Sequence, residues 1–290
     1  MMEWLLEPLR HEFNQRALIA ALIIGLTNGY ASAFVVLKKS ALKVGSLSHA
    51  LLPGIAVAIL VVGLHDWSAF LGALFAALLI GLGSLAVSRG TRIDQDSALA
   101  ILYTAAFSGG IILLRRLQVT QEMEAWLFGN IMGMRDADLW TNFWISFGAL
   151  GVLTALHRPL LMTLFDAEVA ATLGVPVRLL NYLLLAILII VLISSLQAVG
   201  CMLALGLLVT PAATVYLLTD STNTLFWGGS LLGGVCAASA VLIGWWLNLE
   251  QGPTIVLVLG AVFLTVFIFS PRYGLIRHWL AKQESQHPDL

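Results

Sequence analysis

The residue best placed to do chemistry in this chain is His49, an ionisable ring in an apolar stretch. Four residues later the chain reads Pro53-Gly54, a pair that breaks or kinks helices. Inside a membrane, irregular backbone persists only where protein or a water-filled cavity satisfies it, and ionisable groups there are candidate functional sites. The spacing therefore predicts a broken helix with a functional histidine beside the break. The alternative is a histidine at the membrane interface, hydrogen-bonded to backbone.

A second candidate lies in the polar loop Phe165–Pro176. Asp166 can cap the N-terminus of a helix, and Glu168 falls in the first turn, where the helix dipole favours negative charge. Gly174 can end the helix in a left-handed conformation, and Pro176 prevents its continuation. The pattern predicts a self-capped helix of about two turns. A plain connector is the alternative, but a connector rarely needs both caps, whereas a docking helix for a cytoplasmic partner does.

Three further segments carry weaker signals. Asp96 precedes an apolar run and is predicted to cap its helix. Trp126–Asn130 indicates an external re-entrant or interfacial stretch, or a simple aromatic anchor with a turn. In the segment that begins at Gln197, Gly200 permits close helix contact and Pro211 frees a carbonyl and bends the helix, although ordinary tight packing explains both.

Composition places these elements in lipid. Hydrophobic residues make up 59% of the chain and charged residues 11%, against about 25% charged in soluble domains, and the mean hydropathy is +0.93. The charge-free run Leu179–Thr219 is too long for one crossing of about 20 residues and suits two, with the polar break expected at Ser194–Gln197. With the other apolar runs, we expect an all-α polytopic membrane protein. It should have eight or nine transmembrane helices, some broken, plus the short cytoplasmic helix.

The chain divides into three expected regions. Residues 1–16 have acidic residues where a signal peptide would be basic, so they predict an interfacial amphipathic segment. Residues 17–278 form the transmembrane domain, and 279–290 form a polar cytoplasmic tail. Placing the basic C-terminal region, with Arg272 and Arg277, in the cytoplasm also places the loop after Leu156 there.

Several classes of function are excluded by the sequence. No lysine follows a glycine, so there is no phosphate-binding P-loop, and neither a nucleophile elbow nor a His-Glu-x-x-His helix occurs. No basic run is long enough to indicate nucleic acid. Cys201 and Cys236 lie in separate apolar segments and are expected to be small core residues. We expect that the chain is not an enzyme and that it binds no cofactor tightly.

In their order along the chain, these motifs resemble the permease subunit of the ABC transporters for manganese, zinc and iron chelates. The resemblance runs from about residue 17 to 278, and although each motif is weak alone, six in register are specific. The motifs are Ser48-His49-Ala50-x-x-Pro53-Gly54, Asp96-x-Ala98, Leu127-Phe128-Gly129-Asn130, Phe165-Asp166-x-Glu168 with Leu173-Gly174, Gln197-Ala-Val-Gly200 with Pro211, and Ser270-Pro271-Arg272-x-Gly274.

The resemblance implies a multi-pass permease of the bacterial inner membrane that imports divalent Mn, Zn or Fe by alternating access. It implies three partners: cytoplasmic ATP-binding subunits, a periplasmic or extracellular metal-binding receptor, and a second permease, identical or different. Site roles also follow from it. His49 would line the cation path, where an imidazole suits these metals. The residues of the coupling helix would be Phe165, Asp166, Glu168, Leu173 and Gly174. The residues that serve the pathway or its gating would be Gly45, Pro53, Gln197, Gly200 and Pro211.

The sequence departs from this family at one position. The relatives usually carry an aspartate four residues before the histidine, and this chain has Gly45 there. The missing carboxylate could come from the second permease, from Asp96 or, for a soft metal, from Cys201, in that order of preference. The missing aspartate also keeps open a siderophore or cobalamin permease. A broken helix near His49 would also suit a stand-alone secondary transporter.

Overall fold

The computed structural model describes residues 11–41, 45–46, 51–63, 66–117, 129 and 131–270, and this part of the chain is helical with no β-strand. The predicted all-α class is therefore confirmed. A short 3-10 turn, Ile131–Gly133, precedes the fifth helix. The helices are α1 (Glu12–Leu37), α2 (Leu51–Val62), α3 (Asp66–Gly90), α4 (Gln95–Leu117), α5 (Asp136–Ala155), α6 (His157–Phe165), α7 (Ala167–Thr172), α8 (Val177–Val199), α9 (Cys201–Tyr216), α10 (Thr222–Leu247) and α11 (Gln251–Phe269).

Six of these helices are long and apolar enough to cross a membrane, namely α1, α3, α4, α8, α10 and α11. Helices α5 and α6 meet at a bend of 63° and make a seventh crossing if they are counted together. Helices α2 and α9 are apolar but have only 12 and 16 residues, fewer than the roughly 20 that one crossing needs. The protein is a multi-pass membrane protein, while the expected eight or nine crossings are not confirmed in the described part of the chain.

Helix α1 lies at the centre of the bundle and packs most closely on α10. Gly25 and Gly29 on α1 face Gly229 and Gly233 on α10, and a Cβ added to Gly25 would lie 2.5 Å from the Gly233 carbonyl oxygen. Small residues at four-residue spacing let helix backbones approach this closely in lipid. The Ser230 hydroxyl also donates to the Leu26 carbonyl across the same contact, at 2.8 Å. The α1–α10 pair therefore forms the most intimate helix contact in the described structure.

Helix α1 begins at Glu12, so residues 12–16 of the expected interfacial segment continue into the first membrane helix without interruption. Arg16 makes an ion pair with Asp136 at the start of α5, with 2.8 Å between the guanidinium and carboxylate. Residues 1–10 and 271–290 lie outside the described part of the chain. The three-region division thus stays a prediction.

The long charge-free run, predicted to make two crossings, forms two helices, of which α8 alone has the length of a crossing among the described residues. The break between them is at Gly200, where φ is +86°. The expectation of a break at Ser194–Gln197 is wrong. Ser194 and Ser195 are buried inside α8, and the Ser195 hydroxyl donates to the Val191 carbonyl of the same helix at 2.8 Å. Serine is accommodated in an apolar helix because its hydroxyl finds a backbone acceptor one turn earlier. The residue that ends the helix is the glycine with positive φ.

Helices α2, α3 and α4 pack on one another and meet the rest of the described bundle mainly where α3 lies against α8. On that boundary the Arg89 guanidinium lies 4.5 Å from the centre of the Tyr182 ring. Within the three-helix unit, Gly54 of α2 contacts the backbone of Gly72 on α3. Pro53 occupies the first turn of α2, where the missing N–H leaves no helical hydrogen bond unmade.

Candidate functional site

The helix predicted in the loop Phe165–Pro176 is present as α7, and its N-terminus is capped as the sequence indicates. The Asp166 carboxylate accepts hydrogen bonds from the backbone N–H groups of Glu168 and Val169, at 3.1 and 3.0 Å. Asp166 itself has extended backbone geometry, which an N-cap residue requires. We call α7 with its two capping residues, Asp166 and Gly174, the capped helix.

The C-terminus of the capped helix is closed by a Schellman motif. The Gly174 N–H donates to the Ala171 carbonyl at 3.1 Å, and the Val175 N–H donates to the Ala170 carbonyl at 3.0 Å. Gly174 has φ of +80°, the left-handed conformation in which a side chain is unfavourable. A helix of six residues is far below the length that is stable alone in water, so these caps and its packing hold it.

The capped helix exposes an apolar ridge. Ala170 faces inward and is fully buried, whereas Phe165, Val169 and Leu173 are 67%, 51% and 63% exposed. Val169 and Leu173 are four residues apart and lie on one face of α7, whereas Phe165 is the last residue of α6, before the extended residue Asp166. Glu168 is also exposed. These exposed apolar side chains beside a charged residue make the capped helix a candidate contact surface.

Helix α6 carries the capped helix and is anchored at its first residue by aromatic packing. The Tyr30 hydroxyl of α1 and Nδ1 of His157 lie 3.0 Å apart and share a hydrogen bond. The His157 ring also packs edge-to-face on Phe226 of α10, with 4.6 Å between centroids. Phe34 and Trp227 complete this group of rings, which we call the aromatic cluster. It joins the bend between α5 and α6 to the central α1–α10 pair.

Uncharged polar pairs connect α1, α5 and α8 inside the bundle. The Asn28 amide nitrogen donates to the Ser195 hydroxyl at 2.6 Å, and the Ser194 hydroxyl donates to the Asn142 side-chain oxygen. Asn28 is 1% exposed, and its Oδ1 accepts no hydrogen bond from the described residues. Each such bond adds roughly 0.5–2 kcal/mol to helix association in membranes. These pairs fix the position of the C-terminal part of α8, just before the break at Gly200.

The predicted cation-path segment is only partly visible. His49 lies outside the described residues, as do Ser48 and Ala50. Gly45 is described, and among the described residues a Cβ placed there would contact the Leu205 methyl groups, at 3.4 and 3.5 Å. Within that part of the chain, a side chain at Gly45 therefore meets no backbone. The role of His49 remains a prediction.

Asp96 does not cap its helix, contrary to expectation. Helix α4 begins at Gln95, and the cap is Asp94, whose carboxylate accepts a hydrogen bond from the Ser97 backbone N–H at 3.0 Å. Hydrogen bonds from the Ser97 side chain and backbone also hold the pKa of Asp94 below its usual value. Asp96 lies exposed in the first turn of α4, a position that the helix dipole favours for a carboxylate. Its role as a metal ligand stays a prediction.

The remaining pathway candidates lie around α8 and α9. Gly200 separates the two helices, and Gln197 is in the last turn of α8, with its side chain outside the described part. Pro211 lies within α9, and the next residue, Ala212, donates its N–H to the Ser32 hydroxyl of α1 at 3.1 Å. A side chain of α1 thus binds the backbone of α9 beside the proline.

Three other features that the motifs singled out can be assigned only in part. Of Leu127–Asn130, only Gly129 is described, with φ of +76°. The Cys201 side chain is outside the described part. Among the described residues, no three His, Cys, Asp or Glu side chains come together in a way that could hold a metal ion. The described part of the chain therefore supplies no complete metal centre of charged or sulfur ligands.

Comparison with known proteins decides the family. The chain matches the ABC 3 transport family over residues 10–270. It belongs to that family. It is 34% identical to the manganese transport system membrane protein MntC of Halalkalibacterium halodurans over 281 residues, which cover 96% of this chain and 94% of that protein. It is 29% identical to the chelated iron transport system membrane protein YfeD of Yersinia pestis over 269 residues, which cover 91% and 88% of the two chains.

The fold of this ABC 3 family member also matches a solved structure. The structure of PsaBC from Streptococcus pneumoniae in complex with Fab contains a chain that superposes with a TM-score of 0.83 at 30% identity. The match covers 94% of this chain and 98% of that one. The family resemblance stated from the motifs is confirmed. Membership of a membrane transport family also agrees with the expectation that the chain is not itself an enzyme.

Sequence reasoning missed two features of the site. The Tyr30–His157 contact and the Asn28–Ser195 pair join residues 127 and 167 positions apart, and no local pattern connects them. One signal was available in the sequence. All four of these residues are polar and lie inside or at the end of an apolar run, where polar groups need hydrogen-bond partners. That signal identifies residues that must have a partner, but it does not say which.

Proposed function

We propose that this chain is the permease subunit of an ATP-driven importer of manganese or iron. The observation that carries the proposal is the similarity to MntC along nearly the whole of both chains. Manganese and iron are the metals that the relatives MntC and YfeD are named for, and zinc stays a prediction of the motif resemblance. The chain has no nucleotide-binding loop of its own, so ATP hydrolysis belongs to separate cytoplasmic subunits.

The capped helix is the proposed contact with the ATP-binding subunits. Phe165, Val169 and Leu173 would fill an apolar groove in the ATPase, while Asp166 and Glu168 would face its rim. Transmitting motion requires an element that moves as a rigid body. A six-residue helix meets this need because both ends are closed by hydrogen bonds and its own Ala170 is buried against the protein.

The proposed cation path runs past the segment from Gly45 to Pro53. His49 supplies an imidazole, and the carboxylate missing at Gly45 comes from the second permease, with Asp96 and Cys201 as the further alternatives. Gating by alternating access would use the break at Gly200 and the proline bend at Pro211. A metal-binding receptor outside the membrane would deliver the ion to the permease dimer.

Metal accumulation in cells tests the proposal. Cells that lack this gene, but retain the neighbouring ATPase and receptor genes, are supplied with radiolabelled Mn²⁺ or iron at low concentration. We expect uptake of one of the two metals to fall and to return when the gene is restored. The Leu173→Ser variant lacks the exposed apolar side chain of the capped helix. When its gene is supplied instead of the wild-type gene, the protein should reach the membrane but uptake should stay low. Unchanged uptake of both metals in the deletion strain would contradict the proposal.

A second candidate is the import of chelated iron rather than a free ion. The similarity to YfeD and the glycine at position 45 both favour it, since a chelate needs fewer ligands from the path. Binding of Mn²⁺ and of ferric chelates to the purified receptor separates the two cargoes.

Purification of the permease tests a third candidate function, the stand-alone transporter. Co-elution with an ATPase subunit contradicts that reading, and elution alone supports it.

A further inference from the structure

The hydrogen bond between Tyr30 and His157 lies where the arm that carries the capped helix joins the bundle. Helix α6 starts at His157, after a 63° bend, and leads directly into the capped helix at Asp166. Leu160, one turn into α6, is 1% exposed, so the base of the arm is buried while its end is not. A displacement of the capped helix can therefore act on the bundle through the base of α6, as well as through α8, which begins at Val177 after the capped helix.

The aromatic cluster is the contact between that base and the central helices. His157 packs on Phe226 of α10 at 4.6 Å and lies 6.3 Å from Phe34 of α1. Ring contacts of this type prefer edge-to-face or offset arrangements but are found over a range of centroid distances, about 4.5–7 Å, so they tolerate some sliding. The Tyr30–His157 hydrogen bond is directional, and weakens steeply when its geometry is lost. It therefore restricts the angle of the arm in a way that ring packing does not.

Burial argues that the Tyr30 hydroxyl has a specific role. Tyr30 is 2% exposed and lies among Phe34, Phe226 and Trp227. A buried hydroxyl without a partner costs free energy, so a phenylalanine would suit an aromatic cluster that served packing alone. The hydroxyl is compatible with this site because His157 pairs with it.

Helix α1 connects this contact to the predicted cation path. It ends at Leu37, and Gly45, the first residue of the path segment, follows eight residues later. Seven residues before that end, Tyr30 lies on the α1–α10 pair, where glycine contacts leave little freedom for the helices to move apart. A force applied at Tyr30 would shift α1 as a unit rather than be absorbed locally.

We propose that Tyr30 and His157 are positioning residues that transmit the movement of the capped helix to α1. The inference rests on the proposed function of the capped helix as the ATPase contact. The bond joins the Tyr30 hydroxyl to Nδ1 of His157, and the tautomer of the imidazole sets which of the two atoms donates. The bond holds α6 at one angle to α1, so rotation of the capped helix rotates α1 with it.

The test measures how many manganese ions are transported per ATP hydrolysed. The permease, its ATPase and its receptor are reconstituted in liposomes, and uptake and hydrolysis are recorded on the same sample. Tyr30→Phe removes only the hydroxyl and should lower this ratio about two- to tenfold, the factor that one neutral hydrogen bond controls. His157→Leu should lower it similarly, while His157→Asn, which keeps a hydrogen-bonding atom near the position of Nδ1, should restore most of it.

Thr163→Ala is the matched control. Its hydroxyl lies on the same arm but donates to the Leu160 carbonyl within α6, at 2.8 Å. This variant should keep the wild-type ratio. Melting temperature and the amount of assembled complex are measured for every variant, since a purely structural role would lower these and leave the transport ratio unchanged.

A wild-type ratio in assembled Tyr30→Phe and His157→Leu complexes would overturn the inference. Failure of the proposed function looks different, because wild-type liposomes would then show no ATP-dependent uptake of either manganese or iron. If Tyr30→Phe does not assemble, the comparison of His157→Leu with His157→Asn decides. A lower ratio only in the leucine variant supports the inference, and equal ratios overturn it.

Discussion

The capped helix should lose order when either of its caps is removed, and the structure sets the size of the effect. Asp166→Ala deletes both carboxylate bonds, to the Glu168 and Val169 N–H groups. Replacing an N-cap aspartate by alanine costs about 1 kcal/mol. Gly174→Ala places a side chain at φ of +80°, which costs about 1 kcal/mol in the left-handed region. Apart from its chain neighbours, no atom of the described residues lies within 4 Å of the added Cβ, so this cost comes from the backbone conformation and not from a clash.

Hydrogen exchange measures this loss directly. For each single variant we expect the α7 amides to exchange about fivefold faster, and about 30-fold faster in the double variant, because the two caps lie at opposite ends and their effects should add. Exchange is followed by mass spectrometry on peptides covering residues 165–176 in the purified permease. Peptides from α10 in the same sample should be unchanged.

Two further variants separate the caps from other effects. Asp166→Asn keeps an N-cap acceptor but removes the charge, and Gly174→Asn keeps a residue that tolerates the left-handed conformation. Both should exchange close to the wild-type rate. If Asp166→Ala and Asp166→Asn exchange equally fast, the charge and not the cap stabilises the helix. Wild-type exchange in the double alanine variant would refute the argument that the caps hold α7 together.

Three other predictions follow from single positions. Gly29→Ala should lower the melting temperature of the purified permease, because the added Cβ would overlap the Gly229 carbonyl. Overpacking of this kind costs about 1–3 kcal/mol. An unchanged melting temperature would contradict the α1–α10 contact. Gly45→Asp should lower the KM for Mn²⁺ uptake, since the carboxylate fits beside Leu205 and adds an oxygen ligand. Gly45→Asn should change the KM less. Equal KM values for the wild type and both variants would remove position 45 from the path. His49→Ala should lower uptake with the ATPase subunits still bound, and normal uptake in that variant would exclude His49 from the path.

The capped helix was predictable because its signals are local. Asp166, Glu168, Gly174 and Pro176 all act within one turn of the helix ends, so their meaning does not depend on the rest of the fold. The same reasoning failed by two residues at Asp96. Asp94 and Asp96 both precede the apolar run, and only the backbone path decides which carboxylate reaches the N–H of Ser97.

Counting membrane crossings from charge-free runs has a different weakness. Hydropathy reports whether a segment is compatible with an apolar environment, and a short helix enclosed by protein is as apolar as one that crosses the bilayer. Helix α9 illustrates this, since its described residues are apolar and mostly buried but too few for a full crossing. Helix α2 is also short, but it exposes Val57, Leu60 and Val61, so enclosure by protein does not account for its apolar sequence. The break between α8 and α9 was misplaced for a related reason. Ser194 and Ser195 interrupt the apolar sequence, but each hydroxyl is satisfied inside the helix or by a neighbour, so the helix continues through them.

The contacts proposed to transmit movement were the least predictable, because they depend on which helices become neighbours. Neither Tyr30 nor His157 belongs to a local sequence motif, and their bond exists because glycines let α10 approach α1 and bring Phe226 beside both rings. The glycine pattern itself is visible in the sequence, at four-residue spacing in two helices, but not the pairing between those helices. It follows that in an apolar bundle the positions of buried polar residues indicate where one helix can transmit its movement to another. The packing of the small residues determines which helices are neighbours, and therefore which of these polar residues pair.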